Sequence, residues 1–329
     1  MSDVSDLSTK HVGLKNEPYE NNCFLNATIQ ALWHLDTFRN RLIAAVISPD
    51  DVLLSVVQAL FVQYQFTELK VIPPTELRNA LLDIDESKFR LGQYADASEA
   101  MEAILDGIHN DHVDPSNPAD GCNPRCLSHH TFGGLYLSQC TCSCGATSEP
   151  LIDDSSFLLY TSAAALITWR DSQAHAAPSY TDAPISFGQR LHHCLKSPRR
   201  TCPSAPSSTA TPSCRGAAET KTWCLSPPSV LALCVSWESE WERAETIERF
   251  LHVMDGYIFL DEVYRTDILP EGSAESQARL SCKSSSTPVT PSGRSTKDRI
   301  QYIFRGFVCY YGKHYVSICK YPIVHTNPL

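Results

Sequence analysis

The period of the apolar residues changes about a third of the way along the chain, and that change limits the folds open to it. In DVLLSVVQALFVQYQF, residues 51–66, apolar side chains at Val52, Val56, Leu60 and Phe61 recur close to helical spacing. DASEAMEAILDGIHND, residues 96–111, repeats the pattern: Ala97, Ala100, Met101, Ile104, Leu105 and Ile108 make one stripe, Asp96 stands at the cap position, and Glu99 and Glu102 lie off the stripe. Beyond about residue 110, the segments FGGLYLSQCTC, SFLLYTSAAALITW, SVLALCVSW, YIFLDEVY and GFVCYYGKHYVSICKYPIV read as strands. The spacing predicts a helical lobe followed by a sheet-rich part.

Two stretches interrupt that second part, residues 197–221 and 271–297. Rich in Ser, Thr and Pro and poor in large apolar residues, they cannot offset their own ordering entropy and are expected to be mobile loops. Apolar strands resume after each, so they are expected to decorate one continuous domain over 13–329, behind an N-terminal tail of residues 1–12. The 329 residues are 43% hydrophobic, enough for a real core.

A formal net charge of -10 argues against nucleic acid as the main partner, because phosphate binding needs a concentrated basic surface. The first residues, MSDVSDLSTKHVGL, lack a signal-peptide core, and no stretch reaches the roughly 20 apolar residues of a membrane span. An intracellular, cytoplasmic protein is expected. In a reducing compartment its 14 cysteines would not form disulfides, so clustered ones become candidate metal ligands and an isolated one a candidate nucleophile.

Cys23 is the isolated case. It follows the polar, turn-prone NEPYENN and opens the apolar helix FLNATIQALWHL. In the first turn of a helix, unpaired N–H groups and the positive end of the dipole favour a thiolate and can hold an oxyanion. Asn16, Asn21 and Asn22 add side-chain donors nearby. The bland alternative is a buried structural cysteine. A nucleophilic cysteine needs a base, and His314, between a Gly-containing turn and an alternating strand in GFVCYYGKHYVSICK, is placed to supply an imidazole at a sheet edge.

These residues carry a resemblance. GLKNEPYENNCFLNATIQAL resembles the cysteine box of the ubiquitin-specific protease family, GFVCYYGKHYVSICK resembles its histidine box, and GQYADASEAMEAILDGIH between them resembles its acidic helix segment. NEPYENNCFLN, DASE and FGGLYLSQCTCSCG look most like the divergent subgroup whose animal members are often labelled inactive. The resemblance implies an α+β, papain-like cysteine protease fold described as thumb, fingers and palm. It implies hydrolysis of the peptide or isopeptide bond after the C-terminal glycine of ubiquitin, with Cys23 as nucleophile, His314 as base, and Asn16 or Asn21 as oxyanion donor. Asp96 and Glu99 match positions that meet the arginine-rich tail of ubiquitin; a helix cap and a solvated face would account for them equally.

CNPRCLSHH and CTCSCG concentrate thiols and imidazoles beyond what packing needs. One zinc site is expected from Cys142 and Cys144, or Cys140 and Cys144, with Cys202 and Cys214; in the family the fingers often carry such a ribbon. A second grouping takes Cys122, Cys126, one of His129 or His130, and Cys140. Cys194, Cys224, Cys234, Cys282, Cys309 and Cys319 read as packing thiols. No catalytic cofactor is implied. The family's third catalytic residue, an Asp or Asn on a strand after the histidine box, has no match: KYPIVHTNPL offers only Asn327, in a different context. The sequence therefore predicts a shortened palm and lowered turnover. Two rival functions follow: a silent ubiquitin-binding scaffold that keeps the fold, and a zinc-ribbon adaptor that never meets ubiquitin.

Overall fold

The computed structural model describes residues 12–113, 116, 122, 126–154, 156–173, 185–195, 202–203, 214, 217–239, 241–265 and 299–320. The chain divides into two compact units, residues 1–131 with 305–329, and residues 132–304.

The first unit opens with strand β1 (Gly13–Leu14), followed by helices α1 (Cys23–Trp33), α2 (Asp36–Ala44) and α3 (Val52–Phe66). Strand β2 (Val71–Ile72) pairs in parallel with β1, and α4 (Thr75–Ile84), α5 (Glu86–Phe89), α6 (Ala97–Asn110) and α7 (Leu127–Thr131) complete the segment. Its core is made by Phe24, Leu25, Ile29 and Leu32 of α1 against Phe38, Phe61, Leu77, Leu81, Ile104 and Ile108. Each such side chain contributes about 1.5–3 kcal/mol on burial. The Thr28 hydroxyl sits between the carbonyls of Phe24 (2.9 Å) and Ala97 (3.2 Å), which ties α1 to the start of α6. The α6 stripe is as the spacing predicts, with Met101 at its half-buried margin. In α3 the buried face is instead Leu53, Leu54, Val57, Leu60, Phe61 and Tyr64, and Val52 is exposed. The stripe thus begins at Leu53, one residue later than expected, behind the buried Asp51, which accepts the Ser48 amide.

The second unit contains strands β3 (Leu135–Cys142), β4 (Leu151–Asp153) and β5 (Leu159–Ser162), helices α8 (Ala163–Gln173) and α9 (Phe187–Leu195), and strands β6 (Ala218–Ser226) and β7 (Leu233–Ser236). Helix α10 (Ala244–Val253), strand β8 (Tyr257–Phe259), helix α11 (Leu260–Val263) and strand β9 (Gln301–Ile303) follow. β3 is the centre of an antiparallel sheet ordered β4-β3-β6; β5 and β7 pair in parallel, and β8 and β9 antiparallel. Three expectations are corrected here. YIFLDEVY is strand only over Tyr257–Phe259, and Leu260–Val263 turns helical. AAALITW is helix, not strand: Ala163, Leu166 and Ile167 bury at helical spacing, and the Ser162 hydroxyl accepts the Ala165 amide at the helix start. The segment 197–221 is not all loop, because β6 begins at Ala218 and pairs with β3 from Cys142↔Ala218 onward. The segment 271–297, Cys282, the tail through residue 11 and Asn327 lie outside the described residues.

The chain then returns to the first unit as a hairpin of β10 (Gly306–Tyr311) and β11 (His314–Cys319). Gly312 and Lys313 have φ of 59° and 65°. Two successive left-handed residues between strands make the turn type whose twist matches the hairpin. No helix among the described residues is long and apolar enough to cross a membrane.

Candidate functional site

Cys23 is the first residue of α1 and only 5% exposed. The approach to it is fixed by polar contacts that the asparagines make possible. Asn16 accepts the Asn22 amide through Oδ1 at 2.9 Å, so only its NH2 half is left to serve as an oxyanion donor. Asn21 takes a positive φ of 53° and donates from Nδ2 to the Gly92 carbonyl at 2.7 Å. That bond commits Asn21 to holding the loop. The Gly92 N–H in turn donates a hydrogen bond to the Glu20 carbonyl at 3.3 Å, so the loop 90–93 is zipped to the residues just before the thiol.

Beneath this zip lies Arg78, which sequence reasoning missed. It is 2% exposed, lies over the Phe24 ring at 4.8 Å, and donates from Nη2 to the carbonyls of Arg90 (2.6 Å) and Gln93 (3.2 Å). Its Nε and Nη1 are buried without hydrogen-bond partners. Burial pulls its pKa down, while Cys23 and Glu20 act in the opposite direction. The available signal was a cation on the apolar phase of α4, beside Leu77 and Leu81.

His314 begins β11, opposite Tyr311, and is exposed. The strand alternates, with Tyr315 and Ser317 more buried than His314, Val316 and Ile318. Ser317 donates to Gln30 of α1 (2.9 Å) and Tyr315 to Asp96 at the start of α6 (3.0 Å). α1 and the hairpin thus pack together within one unit. Among the described residues no hydrogen bond joins the Cys23 sulfur to the His314 imidazole.

Both acidic residues already have partners. Asp96 caps α6 by accepting from the Ser98 amide (2.7 Å) and hydroxyl, and it also accepts from Tyr315. Burial works to raise its pKa, but these hydrogen bonds outweigh it and hold the carboxyl below its ordinary value. Glu99 pairs with Lys88 at 3.1 Å on the surface.

Two clusters could hold a metal ion, each with four ligand atoms within 4.8 Å of one another. In the second unit, Cys142 and Cys144 at the end of β3 meet Cys202 and Cys214, with Sγ separations of 3.8 Å for Cys142–Cys214 and 3.6 Å for Cys144–Cys202. Tetrahedral zinc with bonds of about 2.3 Å to sulfur sets its sulfurs about 3.8 Å apart. The sulfurs therefore fit zinc, and no disulfide joins any described cysteine. In the first unit, His109 joins Cys122, Cys126 and His129. Cys140, expected in this group, instead packs on β3 with Cys142, Cys202 and Ala218. Of the two neighbouring histidines, the buried His129 takes part and His130 is exposed.

The family model described as ubiquitin carboxyl-terminal hydrolase matches residues 12–325. Ubiquitin carboxyl-terminal hydrolase 54 of Rattus norvegicus is 30% identical over 320 residues, covering 92% of this chain and 17% of the relative. Hydrolase 53 of Homo sapiens is 32% identical over 236 residues, covering 69% of this chain and 21% of the relative. This chain thus spans about a fifth of the curated relatives it matches. Among solved structures, the SAGA DUB module Ubp8/Sgf11/Sus1/Sgf73 bound to monoubiquitin aligns with a TM-score of 0.59 at 16% identity, over 97% of this chain and 63% of that one. The same module bound to ubiquitin aldehyde aligns at 0.57 and 17%, over 95% and 63%. At such identities the likeness concerns the fold, an α+β ubiquitin-specific protease fold. By sequence, the chain belongs to the ubiquitin carboxyl-terminal hydrolase family.

Proposed function

We propose that this chain is the catalytic domain of a cysteine deubiquitinase that cleaves the isopeptide bond after the C-terminal glycine of ubiquitin. The observation that carries the reading is Cys23, buried at the start of α1 and packed in the same unit as the hairpin that bears His314. The imidazole takes the Cys23 proton, and the resulting thiolate attacks the glycine carbonyl. The first-turn amides and the NH2 of Asn16 receive the oxyanion, and the imidazolium delivers its proton to the leaving lysine amine. Water then attacks the thioester with the imidazole as base, and glycine carboxylate leaves. Asp96 and Glu99 receive arginines of the ubiquitin tail. The Glu99–Lys88 pair is exposed and therefore cheap to exchange, whereas an arginine at Asp96 competes with Tyr315. A structural zinc in the Cys142, Cys144, Cys202 and Cys214 quartet fixes the end of β3.

One observation favours a second reading, a silent ubiquitin-binding scaffold: His314 is exposed and not hydrogen-bonded to the thiol. The test is reaction with ubiquitin carrying an electrophilic C-terminal warhead, beside a Cys23→Ala control. The expected result is a covalent adduct that disappears in the control. Reversible binding without adduct would sink the catalytic reading and leave the scaffold; neither adduct nor binding would remove both.

A further inference from the structure

We propose that His109, Cys122, Cys126 and His129 hold a second zinc ion, in a closed structural centre that fastens the C-terminal end of α6 to α7. The Cys122 sulfur lies 3.1 Å from Nδ1 of His129, and the Cys126 sulfur lies 3.4 Å from the same atom and 3.7 Å from Nδ1 of His109. A tetrahedron with zinc about 2.3 Å from sulfur and about 2.0–2.1 Å from nitrogen has sulfur–nitrogen edges of about 3.6 Å. All three separations cluster around that edge. Two thiols and two imidazoles offer borderline-soft donors that suit zinc and fill all four positions, which leaves no open site for substrate or water.

Burial supports the same conclusion. Cys126 is 1% exposed and His129 7%, while the rings of His109 and His129 meet edge to face with centroids 4.7 Å apart. Four lone-pair donors converging, with Cys126 and His129 buried and His109 and Cys122 half-buried, is costly unless a cation gathers them. The frame is also preformed without metal, because the Ser128 hydroxyl donates to the Leu105 carbonyl at 2.7 Å and docks α7 on α6. His109 occupies the last turn of α6, so the helix is tied at both ends: by Asp96 to the hairpin at its start and by the metal at its finish. This centre shares no residue with the cysteine quartet of the second unit and does not depend on reading Cys23 as a nucleophile.

The test uses the intact chain, purified in reductant and reconstituted with zinc chloride, then read by metal analysis and zinc X-ray absorption. With both centres filled, the expected result is about two zincs per chain and an averaged shell of about three sulfurs and one nitrogen per zinc. A Cys142→Ser, Cys214→Ser variant is expected to keep one zinc with an even sulfur–nitrogen shell. His109→Gln is expected to lose one zinc and most of the nitrogen signal. One zinc per chain with a sulfur-only shell in the intact protein would overturn the proposal, and this reading needs no variant to fold. Unchanged stoichiometry and shell in His109→Gln would overturn it as well.

Discussion

The two halves of the proposed catalytic pair are held in opposite ways. Cys23 is buried in the first turn of a helix that buries seven of its residues, with its approach loop zipped to residues 90–93 and pinned by a buried guanidinium. His314 stands exposed at the start of a two-stranded hairpin whose polar ties to the helices come from Tyr315 and Ser317, not from the histidine itself. A two-stranded ribbon is marginal by itself and depends on what it packs against. The thiol thus sits within the core, whereas the proposed base is carried by a hairpin that packs on α1 through β11 and is tied to the helices by two hydroxyl hydrogen bonds.

The sharpest way to probe that contrast is His314→Ala. It is expected to lower turnover of a fluorogenic ubiquitin substrate roughly 10²- to 10⁴-fold, the usual worth of a general base, while the melting temperature stays within a degree or two. A large loss of stability would show that the hairpin is part of the core and break the comparison. Gly312→Val comes next. A β-branched side chain at a φ of 59° is expected to cost about 1–2 kcal/mol. Hydrogen exchange should show faster amide exchange across residues 306–319 and unchanged protection in α1. The smallest effect is expected from Tyr315→Phe, at about 1 kcal/mol for one lost hydrogen bond.

That last effect should depend on pH. Because hydrogen bonds hold Asp96 below its ordinary carboxyl value, the stability it contributes is full above about pH 4 and fades as pH falls through the lower folded value. The stability gap between the native chain and Tyr315→Phe should be complete at neutral pH and shrink in acid. Urea denaturation at a series of pH values reads this directly, and a gap that widens in acid would contradict the assignment.

The place of Cys23 at a helix start was legible in the sequence because it is local: a polar turn, a thiol and an apolar helix are adjacent in the chain. The same holds for the α6 stripe and for the glycine turn before His314. What could not be read was partnership across the chain. His109 looks like an off-stripe helical histidine until the chain folds back to bring Cys122, 13 residues later, against it. Cys140 looks like a ligand because it neighbours Cys142, yet the four sulfurs that come together are those of Cys142, Cys144, Cys202 and Cys214. The AAALITW run shows a different limit, since a short continuous apolar segment has the same pattern in a strand and in a buried helix. Arg78 shows a third: a cation under a helix is invisible to any rule that places charge outside.

The close approach of sulfurs at the end of β3 carries a redox consequence. A disulfide needs its sulfurs about 2.05 Å apart, and Cys142–Cys214 and Cys144–Cys202 stand at 3.8 and 3.6 Å. Less than 2 Å of movement separates each pair from a covalent bond. With a cation bound, the thiolates' lone pairs are engaged and shielded. Stripped of it, the same two pairs become dithiols that a peroxide can close, each giving up two electrons and two protons. The quartet would then exchange a reversible ionic clasp for a covalent one, and chelation would make this end of the sheet a sensor of oxidant.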